Sequence, residues 1–307
     1  MRLIASAIAI MLLVSQNTAQ AQGKNTAERL GYPRDSKLLI IHADDLAVAH
    51  SEDAASFDAL DKRAATSASI MVPCPWLTEV AEYAKAHPDA DLGLHLTLTS
   101  EWKTYRWGPV ASKHQVPSLL DSSGYLWPDS DPAKQHIKAD EAEREIRAQM
   151  EKAISMGIHP THIDSHMGVL FSRPDLFAAY VRVAHDFKLP FLAVRTADAP
   201  PALLSLLSDK DVVLDSIVMA SPDVKPADWK SFYLNAIKNL KPGVTEFIVH
   251  LGYDDAELRA VTVDHPDYGS AWRQRDYDVI TSPEFKKALD DNHVILIRWA
   301  DIKKLLG

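Results

Sequence analysis

The chain has 307 residues, 47% of them hydrophobic, a net charge of −9 and a single cysteine. The negative balance and the lack of any basic stripe exclude a nucleic-acid backbone as partner, and one cysteine excludes both an intramolecular disulfide and a thiolate metal cluster. A chain of this length buries a substantial core without covalent staples, as one large α/β domain or two small ones.

The first residues read as a targeting segment. Met1-Arg2 is a short basic start, residues 3–14 are an apolar run, and Ala19-Gln20-Ala21 is an A-x-A cleavage pattern. Together they predict a secretory signal peptide over residues 1–21, since the run is too short to span a bilayer and has no polar face to make it an interfacial anchor. No second long apolar stretch follows, so residues 22–307 are expected to form one exported domain, periplasmic or secreted, with no membrane span.

Residues 22–36 are polar and read as an irregular arm. Leu38-Leu39-Ile40-Ile41 is a short aliphatic run, which predicts a fully buried strand rather than an amphipathic helix. The strand ends in His42-Ala43-Asp44-Asp45. Two adjacent carboxylates there either cap the following helix or serve chemistry, because each costs several kcal/mol to desolvate unless a cation or donors receive it. A helix is expected over 51–63, a strand over 67–72 halted by Pro73 and Pro75, a helix over 76–87 and a strand over 92–98 that contains His95. Cys74, between the two prolines, reads as a small packed residue.

Residues 100–139 are the least regular part, with Trp102, Tyr105, Trp107, Tyr125 and Trp127 set among Pro, Ser and Gly. Long loops inside compact domains usually serve function, and these aromatics either stack on sugar rings or seal the loop to the body. Beyond them the pattern predicts a helix over 140–156, a strand end at 161–166, a helix over 175–187, and strands over 191–195 and 212–219. A helix over 226–239, a strand over 245–250, a helix over 283–290, a strand over 293–297 and a short last helix complete the chain. Around eight βα units without a linker predict a TIM-like (β/α) barrel, regular or irregular, as a single domain. A doubly wound open sheet is the alternative, but no glycine-rich turn follows the first strand.

Several strand ends carry reactive groups: Asp44 and Asp45, His95, the set His162, Asp164 and His166, and His250. Parallel strands of a barrel bring such ends to one face. A carboxylate and two imidazoles from separate strands make a facial set for a divalent metal. Each group also has a plainer reading. His95 fits a core histidine bonded to a carbonyl; His162 and His166, at even spacing on a strand, share one side without both being ligands; Asp164 fits an acceptor that orients a histidine; His250 fits a general acid or a mere strand end. The other histidines (His42, His50, His87, His114, His136, His159, His185, His265 and His293) lack such company and read as surface or packing residues.

These residues resemble the YdjC-like carbohydrate deacetylases, relatives of the wider polysaccharide deacetylases. That family's opening pattern, close to N-A-D-D-F-G, is matched by His42-Ala43-Asp44-Asp45-Leu46-Ala47, its G-x-H by Gly93-Leu94-His95, and its P-T-H-x-D-S-H by Pro160-Thr161-His162-Ile163-Asp164-Ser165-His166. A late strand with Glu246 and His250 completes the set. The resemblance implies a metal ion, Mg²⁺ or Zn²⁺, held by Asp45, His95 and His166. It implies Asp44, on the other side of the chain from Asp45, as catalytic base and His250 as acid in amide hydrolysis of an N-acetylated sugar or oligosaccharide. Arg298 is expected to orient Asp44, and Trp102, Trp272 and Arg273 to border the pocket, the last two from the polar stretch 267–276. This chain departs from the family at His42 for Asn, Leu46-Ala47 for Phe-Gly, Met167-Gly168-Val169 after His166, and Leu251 in the late His-Pro-Gly. Two other readings stand beside this one: another metal hydrolase (esterase or phosphodiesterase), against which the scarcity of Lys and Arg near the motifs counts for phosphate, and an exported carbohydrate-binding protein without activity, which would have no use for Asp44.

Overall fold

The computed structural model describes residues 25–194, 201–208 and 210–306; the expected signal peptide at 1–21 and Arg195, the end of the expected strand 191–195, lie outside the described residues. Among the described residues seven strands form one parallel sheet: β1 Lys37–Leu46, β2 Ser67–Ile70, β3 Leu92–Leu96, β4 Ile163–Ser165, β5 Ser216–Val218, β6 Gly243–His250 and β7 Val294–Leu296. Their order is β4-β3-β2-β1-β6-β5, with β7 against the start of β1. Single bridges continue the wall from Ile163 to Phe191 and from Val194 to Leu214, and Asp215 N–H donates to Val244 O, which brings the sheet round to β6. The barrel expected from the alternation of elements is therefore present. The strand expected over 191–195 is reduced, over its described residues, to these bridges, where Leu192 N–H donates to Ile163 O and Ala193 O accepts from Leu214 N–H.

Period-two alternation sorts the walls. Leu39, Ile41, Ala43, Phe247 and Val249 join the large cluster beneath the helices, whereas Leu38, Ile40, Val244, Ile248, Ile297 and Trp299 form the smaller cluster inside the barrel. On β1 the inward series runs Leu38, Ile40, His42, Asp44, and on β6 it runs Val244, Glu246, Ile248, His250. Register places Asp44 opposite His250 and, on β3 and β4, His95 opposite Asp164. An apolar floor thus gives way to polar side chains at the C-terminal end. A strict strand would send Asp45 outward. It does not, because Asp45 sits at φ 73°, followed by Ala47 at φ 79°, where the β1–β2 register shifts. Such backbone costs a non-glycine residue roughly 1–2 kcal/mol and is tolerated where function demands it. Asp44 and Asp45 consequently face one cavity, and the expectation that they lie on opposite sides of the chain is corrected.

Three other local features depart from expectation. The arm begins with the helix Thr26–Arg29, started by a reciprocal Asn25–Glu28 capping box. The helix Ser270–Ile280 lies in the stretch read only as polar, because its buried stripe of Trp272, Arg273, Asp276, Val279 and Ile280 includes two charged residues and so shows no apolar period. The long loop over 100–139 holds the turn Pro117–Leu119 and the helix Ser130–His136. It is stitched down by Glu145, which accepts from the N–H of Val110 and Ala111 (2.8 Å each), and by the Trp107 and Trp127 indoles donating to Thr99 O and Ser118 O. For those two tryptophans the sealing role holds.

The glycine of the G-x-H pattern has a packing reason. A Cβ on Gly93 would stand 2.3–2.6 Å from the His162 ring, and that ring is stacked on Trp299 with no room behind it. Gly93→Ala is expected to destabilise the fold by about 1–3 kcal/mol, read as a lower denaturation midpoint; an unchanged midpoint would show that the ring is free to yield.

Candidate active site

A cavity of about 480 Å³ opens at the C-terminal end of the barrel. Asp44 and Asp45 arrive from β1, His95 from β3, Asp164 from β4, His166 from the turn after it, and His250 from β6. Asp45, His95 and His166 offer ligand atoms within 4.8 Å of one another, all buried. Asp45 Oδ1 has no hydrogen-bond partner and lies 3.4 Å from both His95 Nε2 and His166 Nδ1. The outer nitrogen of each ring is held by a carboxylate: His95 Nδ1 by Asp164 at 2.6 Å and His166 Nε2 by Glu101 at 3.1 Å. A carboxylate on the outer nitrogen fixes the tautomer that leaves the inner nitrogen with a free lone pair, the arrangement found around metal-ligating histidines. Two lone pairs and an orphaned carboxylate oxygen converging on one point fit a divalent cation.

Without an ion the same carboxylates hold a proton on the His166 ring, which a bound cation would displace. Burial opposes protonation of His166, but Glu101 and Asp45 outweigh it and lift its pKa to about 10. Burial likewise pushes the Asp45 carboxyl up, and Arg273 with the nearby histidines more than reverses that, holding it well below the usual range. An anion-rich pocket of this kind calls for positive charge.

Arg273 is fully buried, donates from Nη2 to Asp45 Oδ2 at 2.8 Å, and has its Nε 3.0 Å from Glu52 Oε1. It therefore borders the cavity as expected, by fixing a candidate ligand. Trp102 lines the same cavity. Trp272 does not; it lies behind Tyr268 and edge-on to Trp229, and its expected place in the lining is corrected. Arg298 is corrected too. β7 is set low, with Leu296 opposite Leu39, and inward Ile297 turns Arg298 outward, where it donates to Asp89 O at 3.1 Å, far from Asp44.

What holds Asp44 instead is His42, one of the histidines read as a packing residue. Its Nε2 lies 3.1 Å from Asp44 Oδ1, 3.0 Å from Asp164 Oδ2 and 3.1 Å from Ser69 Oγ, and its Nδ1 is 3.6 Å from Glu246 Oε1. Burial disfavours its charged form, yet Asp164, Asp44 and Glu246 together raise its pKa well above the ordinary value. Glu246 also accepts from the Trp299 indole at 2.9 Å. His162 lies one layer down, between His42 and Trp299, away from the cavity. His42 was legible in principle, two residues before Asp44 on the same strand face; Glu101, Glu52, Tyr268 and His265, the last also read as a surface residue, gave no such signal.

His250 Nε2 is 3.9 Å from Asp44 Oδ2 and from Asp45 Oδ2, and the residue's backbone N–H donates to Asp276 Oδ2 at 3.0 Å. Burial first, then Arg273, pull its pKa down to about 4 against the pull of the two aspartates, so the ring is neutral near pH 7.

The profile of the family described as YdjC-like protein matches residues 38–291. A carbohydrate deacetylase of Thermus thermophilus is 30% identical over 285 residues, covering 91% of this chain and 98% of that protein. One of Thermoanaerobacter pseudethanolicus is 26% identical, covering 87% and 100%. A crystal structure from Enterococcus faecalis, named for cellobiose-phosphate cleavage, superposes with a TM-score of 0.74 at 23% identity, covering 87% of this chain and 99% of that one, and supports the fold.

Proposed function

Because this chain belongs to the YdjC-like protein family, we propose that it is a carbohydrate deacetylase, a metal-dependent hydrolase that removes acetyl groups from an N-acetylated sugar or oligosaccharide. The observation that carries this reading is the convergence of Asp45, His95 and His166 beside Asp44. Asp45, His95 and His166 would hold the ion, which when bound polarises the acyl carbonyl and acidifies water.

The protein's own groups supply the rest. Asp44, an acceptor positioned by His42 and by the Ser69 hydroxyl at 3.3 Å, takes the proton of the attacking water as general base. Water adds to the acyl carbon, the carbon–nitrogen bond breaks, and the proton taken by Asp44 returns to the leaving amine by way of His250. A neutral His250 suits that role, since it receives its proton during the cycle rather than storing one. Asp164 and Glu101 hold the His95 and His166 rings, and Arg273 holds Asp45. Glu246 braces His42 from below.

A phosphodiester substrate is disfavoured by the cavity itself. Arg273 is the only Lys or Arg among its described lining residues, and Asp45 and Glu52 already engage it.

Export after removal of residues 1–21 belongs to the same proposal; no described helix is long and apolar enough to cross a membrane. The test is acetate release from N-acetylated mono- and oligosaccharides by the exported protein, whose expected first residue is Gln22. Metal-dependent release that a chelator abolishes and added ion restores is the expected result. Binding of the sugars without any acetate release would favour the non-catalytic reading.

A further inference from the structure

The cavity has a second wall that the mechanism does not use. Ile217 of β5 pairs in register with inward-facing Glu246, so Ile217 and Met219 point into the barrel, next to Ile248 of β6 and Leu192. Met167, held at φ 50° directly after His166, and Phe171 close the same side. Inward aliphatics of a barrel are normally covered, as Leu38 and Ile40 are. Here Ile217 and Met219 are each 40% exposed and Met167 is 42% exposed. Exposed apolar surface gathered at one mouth marks a binding site.

Its chemistry suits a sugar ring poorly. A hydroxyl buried against such a wall loses its hydrogen bonds to water and gains none. Unbranched methionine adapts to flexible apolar chains. Resting on the hydrolase reading above, we infer that the substrate carries an alkyl group of about four to six carbons near the scissile carbonyl, seated on Ile217, Met219, Ile248 and Met167. That group comes either from an acyl chain longer than acetyl or from an apolar aglycone.

Two substrate series separate the sources. One lengthens the N-acyl group of glucosamine from acetyl through butyryl to hexanoyl. The other keeps N-acetyl and changes a methyl glycoside to a hexyl glycoside. With each buried methylene worth a few-fold in binding, kcat/KM is expected to rise about tenfold or more along one series. In Met219→Asp and Ile217→Asp, the ratio of long-chain to short-chain kcat/KM should fall toward one. Flat or falling kcat/KM along both series overturns the inference while leaving deacetylation intact.

Calorimetric binding to Asp44→Asn, with the same compounds, keeps the test independent of turnover. Tighter binding of the hexanoyl or hexyl compound, lost in the double variant with Met219→Asp, supports the apolar seat even if acetate release fails. Equal binding of short and long compounds rejects it.

Discussion

Asp44→Asn is expected to lower kcat by roughly 10²–10⁴-fold, the usual contribution of a positioned general base, with the fold intact and the metal retained. The substitution preserves shape. The Ser69 hydroxyl, 3.3 Å from Asp44 Oδ1, can still donate to the amide oxygen, with the His42 ring beside it at 3.1 Å. What is lost is the capacity to accept a proton from water. Asp44 is not among the residues that meet at Asp45 Oδ1, so metal content should match the wild type. Michaelis–Menten kinetics beside elemental analysis of the same preparations check both halves. Turnover within tenfold of wild type would remove Asp44 from the role of base. An unaltered affinity for sugar in a protein that never turned over would mark a binding protein.

The second large effect is expected on the metal. Wild-type protein should carry close to one divalent ion per chain, and His166→Ala should retain less than about a tenth of it, because loss of a first ligand outweighs the 10–100-fold cost of losing an outer partner. Activity should fall with it. The variant also strands Glu101, whose partner at 3.1 Å is the His166 ring. Glu101→Gln is therefore the informative companion: it weakens the hold on the ring, leaves all three ligands in place, and should cost metal affinity by the smaller factor. Elemental analysis after dialysis reads both variants and identifies the ion, with two imidazoles favouring Zn²⁺ over Mg²⁺ on softness. Full metal content in His166→Ala would transfer the site elsewhere, the other buried donor sets being Asp44, His95 and Asp164 at the cavity and His42, His162 and Asp164 below it.

Much of the site was legible because it is built from strand ends. Alternation of buried runs with helices gives the barrel, and the barrel sends every C-terminal end to one face, so Asp44, His95, His166 and His250 meet as expected. Even spacing also told truly: His162, Asp164 and His166 share a side, with only Asp164 and His166 at the cavity. The failures have physical causes. Arg298 follows a strand as the others do, but β7 pairs only with residues 37–39 of β1, so its end lies below the site, and parity points the side chain outward. Arg273 and Asp276 sit in a helix whose buried face is charged, which hides it from any hydrophobic period.

The sequence by itself determined the kinds of residue available and the local period that places each on a strand end, a helix face or a loop. That is short-range information, carried by spacing and chemical type. Tertiary structure decided which of them touch. A backbone at φ 73° brings Asp45 to the same side as Asp44 against the strand's own alternation. The ion pair of Arg273 with Asp45 spans 228 residues, and His42 is bound by partners from β1, β2, β4 and β6 at once. Contacts of that range depend on sheet register and closure, which are fixed by how the whole core packs and are written in no single stretch of the chain.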